Sequence, residues 1–200
     1  MKKYFTVFFL ILFINESSAE IKNNIIQNLK NTNNISFNFE QNINGKIENG
    51  ICTIKYPKKI YCKYSKNNKI LVSNGKSLVI KSDKNKQYYR YPLKSTMFNY
   101  LLDMDFLINE IKILDTKLID DKYYLFSINK NNQIINIFFD KKTLNIVGWQ
   151  TEDLYQNLSV TYIYDLGVNV LVDNKKFKLP EMYWLGRNFN FFLFIKFHTS

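Results

Sequence analysis

The stretch "GICTIKYPKKIYCKY", residues 50 to 64, holds both cysteines of the chain, Cys52 and Cys62. Such a pair can be a disulfide staple, half of a metal site, a reactive dithiol, or two small core residues. A zinc site needs further ligands. The single histidine, His198, lies close to the C-terminus, where segments commonly fray. No Ser-His pairing or glycine-rich phosphate loop accompanies it. The acidic neighbours Asp120-Asp121 and Glu152-Asp153 sit where turns and strand ends are expected, and Asp is an ordinary turn residue. The sequence therefore offers no catalytic group, no metal site and no cofactor motif, and an enzyme is not expected.

Compartment bears on the cysteines. Lys2 and Lys3 precede the apolar run Tyr4–Ile14, and "NESSA" then puts Ser17 and Ala19 at the −3 and −1 positions. This pattern predicts a cleavable export signal over residues 1–19, with the mature chain starting at Glu20. The apolar run, about 11 residues, is well short of the roughly 20 that span a bilayer. No cysteine follows it to carry a lipid. In an oxidising exterior a disulfide can form and persist. The formal net charge is +11, yet Arg90 and Arg187 are the only arginines and the lysines are scattered. That is not a nucleic-acid footprint. Two readings of the lysines stand: compositional bias that raises Lys, Asn and Ile together, or a docking rim that includes Lys55, Lys58 and Lys59.

The elements that would position these residues follow from periodicity. Ile21, Ile25, Ile26 and Leu29 form one apolar stripe, which predicts a helix over 20–31. The period then becomes two: "ISFNFEQ" places Ile35, Phe37, Phe39 and Gln41 on one face. "GICTIKY", "KIYCKY" and "QYYRYP" read as strands. "KILVSNGKSLVIKSD" reads as a hairpin turning on a type I′ Asn74-Gly75 pair. Ser95 is positioned to cap a short helix carrying Met97, Tyr100, Leu101 and Leu102. Strands are then expected at "EIKILDTKLI", "KYYLFSINK", "QIINIFFD", "LNIVGWQTED" and "LSVTYIYDL". Short antiparallel strands with frequent turns predict a mainly β (α+β) barrel or sandwich, with two amphipathic helices that need an apolar surface to cover.

The order of these pieces is informative. An export signal and a short helix precede "FEQ"; then come "NGICTIKYPKKIYCKY", "KILVSNGKSLVI", "YRYPLKSTMFNYLLDMD" and a second meander. The chain resembles the periplasmic outer-membrane lipoprotein carrier family, LolA, over about residues 21–180. Gly50 to Pro57, Ile70 to Lys76 and Tyr91 to Leu102 match that family's successive motifs. The resemblance implies a strongly curved, incomplete antiparallel β-barrel with short helices covering an apolar cavity. It also implies a periplasmic monomer that takes lipoprotein acyl chains from an inner-membrane ABC transporter to an outer-membrane acceptor. A carrier of free lipid or glycolipid on the same fold, or an exported interaction domain with a packed core, are the alternatives. Tyr56 stands where the family has a lid-latching arginine, and one phenol cannot supply a guanidinium's fork of donors. Ile60 keeps the apolar character of the family's cavity mouth. Residues 181–200 form an apolar tail beyond the family's usual end; Phe189, Phe191, Leu193, Ile195 and Phe197 alternate there as in an added strand.

Strand alternation gives the candidate cavity wall as Phe37, Phe39, Ile54, Tyr56, Ile60, Cys62 and Tyr64, facing Met97 and Leu101 from the helix; Cys52 shares this face, and Thr53, Tyr61 and Lys63 face outward. With Pro57 midway, a hairpin places Cys52 opposite Cys62, at a separation near the lower end of what a disulfide accepts. The expectation is a Cys52–Cys62 disulfide. Two free thiols packed in the core are the remaining alternative.

Overall fold

The computed structural model describes residues 18–182, apart from 85, 131–132 and 153–157. The export-signal run and the alternating apolar tail thus lie outside the described residues. Ser18–Lys30 forms α1, with Ile21, Ile25, Ile26 and Leu29 buried along one stripe. Eleven strands then build one antiparallel sheet: β1 Asn34–Ile43, β2 Lys46–Lys55, β3 Lys59–Tyr64, β4 Lys69–Asn74, β5 Ser77–Ser82, β6 Gln87–Pro92, β7 Lys117–Ile119, β8 Tyr123–Lys130, β9 Gln133–Asp140, β10 Ile146–Glu152 and β11 Leu158–Val168. Their order across the sheet is β6-β5-β4-β3-β2-β1-β11-β10-β9-β8-β7. The first half of the chain meanders outward from a central β1 to one edge. The second half starts at the far edge and meanders back until β11 pairs with β1. The sheet is curved but not closed, so β6 and β7 are edges, as an incomplete barrel requires.

The crossing between the two edges carries the remaining helices: α2, Phe98–Leu101, and α3, Met104–Ile113. Two sequence expectations are corrected here. Ser95 does not cap a helix; it lies in a 3₁₀ turn, Leu93–Ser95, and its hydroxyl donates to the Pro92 carbonyl at 2.8 Å. The cap is Asp103, whose carboxylate accepts the Phe106 N–H at 3.2 Å and starts α3. Much of "EIKILDTKLI", expected as a strand, is the end of that helix. Its Ile111 and Ile113 alternate, but Leu107, Ile108 and Ile111 are the buried set, and their spacing is helical. The β4–β5 turn also differs. Ser73 pairs with Leu78, which leaves Gly75-Lys76 as the tight loop, and of these two only Gly75 has positive φ. That pattern fits a II′ turn rather than I′, and the Asn74 side chain accepts the Lys76 and Ser77 N–H groups at 3.0 Å each.

All three helices lie on the concave side, and their apolar stripes join the sheet's inner face in one core. A smaller second layer forms outside. After β11 the chain folds back over the convex face as a strap. Lys55 Nζ donates to Asn174 Oδ1 at 2.7 Å, Phe177 buries against β3 and β4, and the Tyr88 hydroxyl donates to the Pro180 carbonyl at 3.2 Å. The strap contains a 3₁₀ turn over Asn174–Phe177, followed by irregular chain.

Candidate functional site

The concave wall begins with β1, where Phe37 and Phe39 point inward and are almost fully buried. Phe37 meets Trp149 edge-on at 6.1 Å between centroids, and Phe39 meets Tyr64 at 5.1 Å. On β2 and β3 the pairs Cys52↔Cys62 and Ile54↔Ile60 face each other, as the hairpin register centred near Pro57 requires. All four residues are buried. The Cα atoms of Cys52 and Cys62 are 4.0 Å apart and their sulfurs are bonded. On the opposite face Lys63 is exposed and Tyr61 half-buried, while Thr53, expected outside, is buried on the face the strap crosses. Its hydroxyl lies 3.4 Å from that of Ser36.

Gly50 closes this wall at one end. A Cβ there would sit 2.2 Å from the Lys63 carbonyl oxygen and 2.9 Å from the Phe39 ring. The wall then turns polar. The Tyr64 hydroxyl donates to Gln41 Oε1 at 3.2 Å, Gln41 Nε2 donates to Ser159 Oγ at 3.1 Å, and Lys69 lies over the Tyr64 ring while pairing with Glu48. Burial, and secondarily the Glu48 charge, push the Tyr64 phenol well above its ordinary value. Burial alone would raise the Glu48 carboxyl, but the hydrogen bond and charge of Lys69, with Lys46, outweigh it and hold that group below 4.5.

The helices supply the other wall: Leu101 and Leu102 from α2 and the residue after it, Leu107, Ile108 and Ile111 from α3, and the α1 stripe. Met97, half-buried, packs at the margin. These side chains fill the concavity. Two clefts beneath the helices are slivers of about 10 and 20 Å³, and Tyr56 lines both. The resemblance implies an open apolar cavity under the helices; in this conformation the lid's own side chains occupy it. A roomier hollow, about 470 Å³, lies outside, around Phe138, Gly148 and Tyr162.

Tyr56 meets the helices through packing, lining a cleft with Phe98, Leu101 and Leu102. Burial pushes its phenol up, and no hydrogen bond of that hydroxyl is found among the described residues. The hairpin makes polar contact with the helices through Lys58. Its N–H donates to the Leu102 carbonyl at 2.7 Å, and its ammonium lies 3.2 Å from Asp103 Oδ2 and 3.4 Å from Asn99 Oδ1. Asp103 thus caps α3 with one oxygen and meets Lys58 with the other. Sequence reasoning used Lys58 only as a rim charge and passed over Asp103, although "LLDMDF" carries the N-cap signal of an acid before an apolar stripe. It also left the second meander out of the wall, where Phe126, Ile137, Phe139 and Trp149 are buried; their period-two alternation was visible.

A half-barrel whose apolar inner face is covered by helices rather than by further strands defines a structural class. The chain belongs to one family of that class: residues 30–180 match the model of the outer membrane lipoprotein carrier protein LolA. It is 28% identical over 198 residues to an outer-membrane lipoprotein carrier protein of Francisella philomiragia, spanning 90% of this chain and 95% of that one. Among solved structures, an uncharacterized conserved protein from Thermus thermophilus aligns at TM-score 0.49 and 7% identity, over 82% of this chain and 96% of that one. A LolA superfamily protein from Nitrosomonas europaea aligns at TM-score 0.42 and 10% identity, over 82% and 98%.

Proposed function

We propose that the protein is a periplasmic carrier that buries lipoprotein acyl chains while they travel from an inner-membrane ABC transporter to an outer-membrane acceptor, with no catalytic step. The observation that carries this reading is the apolar concave wall, Phe37, Phe39, Ile54, Ile60, Tyr64 and Trp149, closed by helices that share no backbone ladder with the sheet. Each buried methylene is worth about 0.8 kcal/mol, so three long chains hold a membrane by tens of kcal/mol and cannot cross water unshielded. The carrier must hide them throughout, yet grip them less tightly than the acceptor. A wall that the lid also covers meets both needs, because the lid's own side chains compete with the cargo.

Loading requires α2 and α3 to lift, since a ligand-sized site is about 300–1,000 Å³ and the closed interior offers about 10 and 20 Å³. The Lys58 contacts with Leu102, Asp103 and Asn99 serve as the latch. That small interior volume favours one rival, an exported interaction domain whose core never opens. Native mass spectrometry of protein taken gently from the periplasm separates them. A bound triacylated lipopeptide is expected, and Ile60→Glu, which puts a charge on the wall, should lose it. Free lipid in its place would indicate a carrier of different cargo. An empty protein whose α2–α3 amides exchange no faster when lipopeptide is added would sink the carrier reading.

A further inference from the structure

The end of the molecule that holds the β2–β3 and β4–β5 turns gathers lysines that the ion-pair pattern leaves uncompensated. Lys55 and Lys59 are directly opposed across β2 and β3, a like-charge arrangement that costs stability in a sheet pair. The strap adds Lys175, Lys176 and Lys178, and the β4–β5 turn adds Lys76, all exposed. None of these six pairs with a carboxylate among the described residues. The acidic residue at the start of the strap's turn, Asp173, accepts the Lys175 backbone N–H at 2.9 Å. A cleft of about 380 Å³ opens among them, lined by Lys59, Asn74, Asn174, Phe177, Lys178 and Leu179. One apolar side chain at the start of the same strap, Leu171, stands fully in solvent.

We infer that this end is a docking surface for anionic phospholipid membranes, with phosphate headgroups entering the cleft between Lys59 and Lys178. Uncompensated lysines beside an exposed apolar side chain are the pattern that reads an anionic lipid surface, where charge attracts and the apolar group inserts. An acidic protein would match the charge but gives no role to Leu171. The surface adjoins the lid, because Lys58, in the same β2–β3 turn, holds Asp103 through a partly exposed pair. A dense row of headgroup phosphates competes with that single carboxylate, so contact with the membrane would loosen the lid where cargo is exchanged.

Co-sedimentation of the cargo-free protein with vesicles tests this, whether or not the protein carries acyl chains. Vesicles containing phosphatidylglycerol should bind it, vesicles of phosphatidylcholine alone should not, and binding should fall as salt rises. The triple variant Lys55→Gln, Lys59→Gln, Lys178→Gln should lower the partition coefficient on the order of 100-fold, at about five-fold per lysine. A control triple with the same charge change at the opposite end, Lys66→Gln, Lys84→Gln, Lys86→Gln, should lose far less. Leu171→Gln should weaken binding further without altering its salt dependence. Equal losses for the two triples would overturn the proposal, since net charge alone would then explain the attraction. So would saturation of the cleft by inorganic phosphate, or binding to polyglutamate, in a protein that leaves anionic vesicles unbound.

Discussion

Lys58 is the residue through which the β2–β3 turn makes polar contact with the α2–α3 junction. The family's arginine position holds Tyr56, whose ring sits between the two internal slivers and whose hydroxyl has no partner found among the described residues. Two residues on, Lys58 reaches the α2–α3 junction with both its backbone N–H and its ammonium. Its side chain is about one-third exposed and that of Asp103 about one-quarter, so the ion pair is worth only about 0.2–1 kcal/mol. Under the proposed carrier function, a pair of that strength would bias the lid toward closure without locking it. Lys58→Ala should leave global stability nearly unchanged but speed amide exchange in Phe98–Ile113 by about two- to five-fold. Asp103→Ala should do more, since it also removes the cap of α3, worth about 1 kcal/mol. Uniform acceleration across the sheet in Lys58→Ala would place the residue in the global fold rather than in the lid.

At the scale of elements, the β2–β3 hairpin is the part of the wall that the Cys52–Cys62 bond cross-links. The disulfide closes a ring of about 11 residues, for which the chain-entropy estimate is roughly 2.5–3 kcal/mol. The double variant Cys52→Ala, Cys62→Ala should lose at least that in urea unfolding, with an added packing loss because both side chains are buried. Intact mass with and without reductant reports whether the bridge forms in the periplasm, and two free thiols before reduction would contradict it. Gly50 sets how closely β2 approaches β3 and the Phe39 ring. Gly50→Ala puts a methyl 2.2 Å from a backbone oxygen, which no rotamer change relieves. It should therefore destabilise the fold by more than the roughly 1 kcal/mol of an ordinary substitution. A wild-type unfolding midpoint would show that the strand pair has slack there.

The whole molecule depends on the seam where β1 meets β11, the only strand pairing that joins the two meanders among the described residues. The polar network at one end of the wall lies beside this seam, and it gives the fold an acid limit. Glu48 is held below its ordinary 4.5, so its contribution is present above that pH and is lost as pH falls through the lower folded value. Asp140 behaves alike, held down chiefly by the Thr143 N–H at 2.7 Å. The melting temperature should fall steadily below about pH 4.5, and Glu48→Gln should flatten part of that limb while lowering the neutral-pH value. An identical acid limb in the variant would remove Glu48 from the account.

The sequence by itself determined what repeats locally. Period-two alternation placed Phe37, Phe39, Ile54 and Ile60 on one face, the midpoint proline set Cys52 against Cys62, and the α1 stripe was legible to within a turn. It failed where one pattern fits two structures. "NEIKIL" alternates well enough for a strand, and only the apolar surface waiting beneath it makes Leu107, Ile108 and Ile111 the stripe of a helix. The tertiary structure alone decided which distant residues meet: that Lys58 reaches Asp103, that Phe37 meets Trp149 edge-on, and that the strap brings Lys178 beside Lys59. It also decided that the lid fills its own cavity. Periodicity tells each residue which way to face, but what it faces depends on how far the sheet curves and where the chain returns.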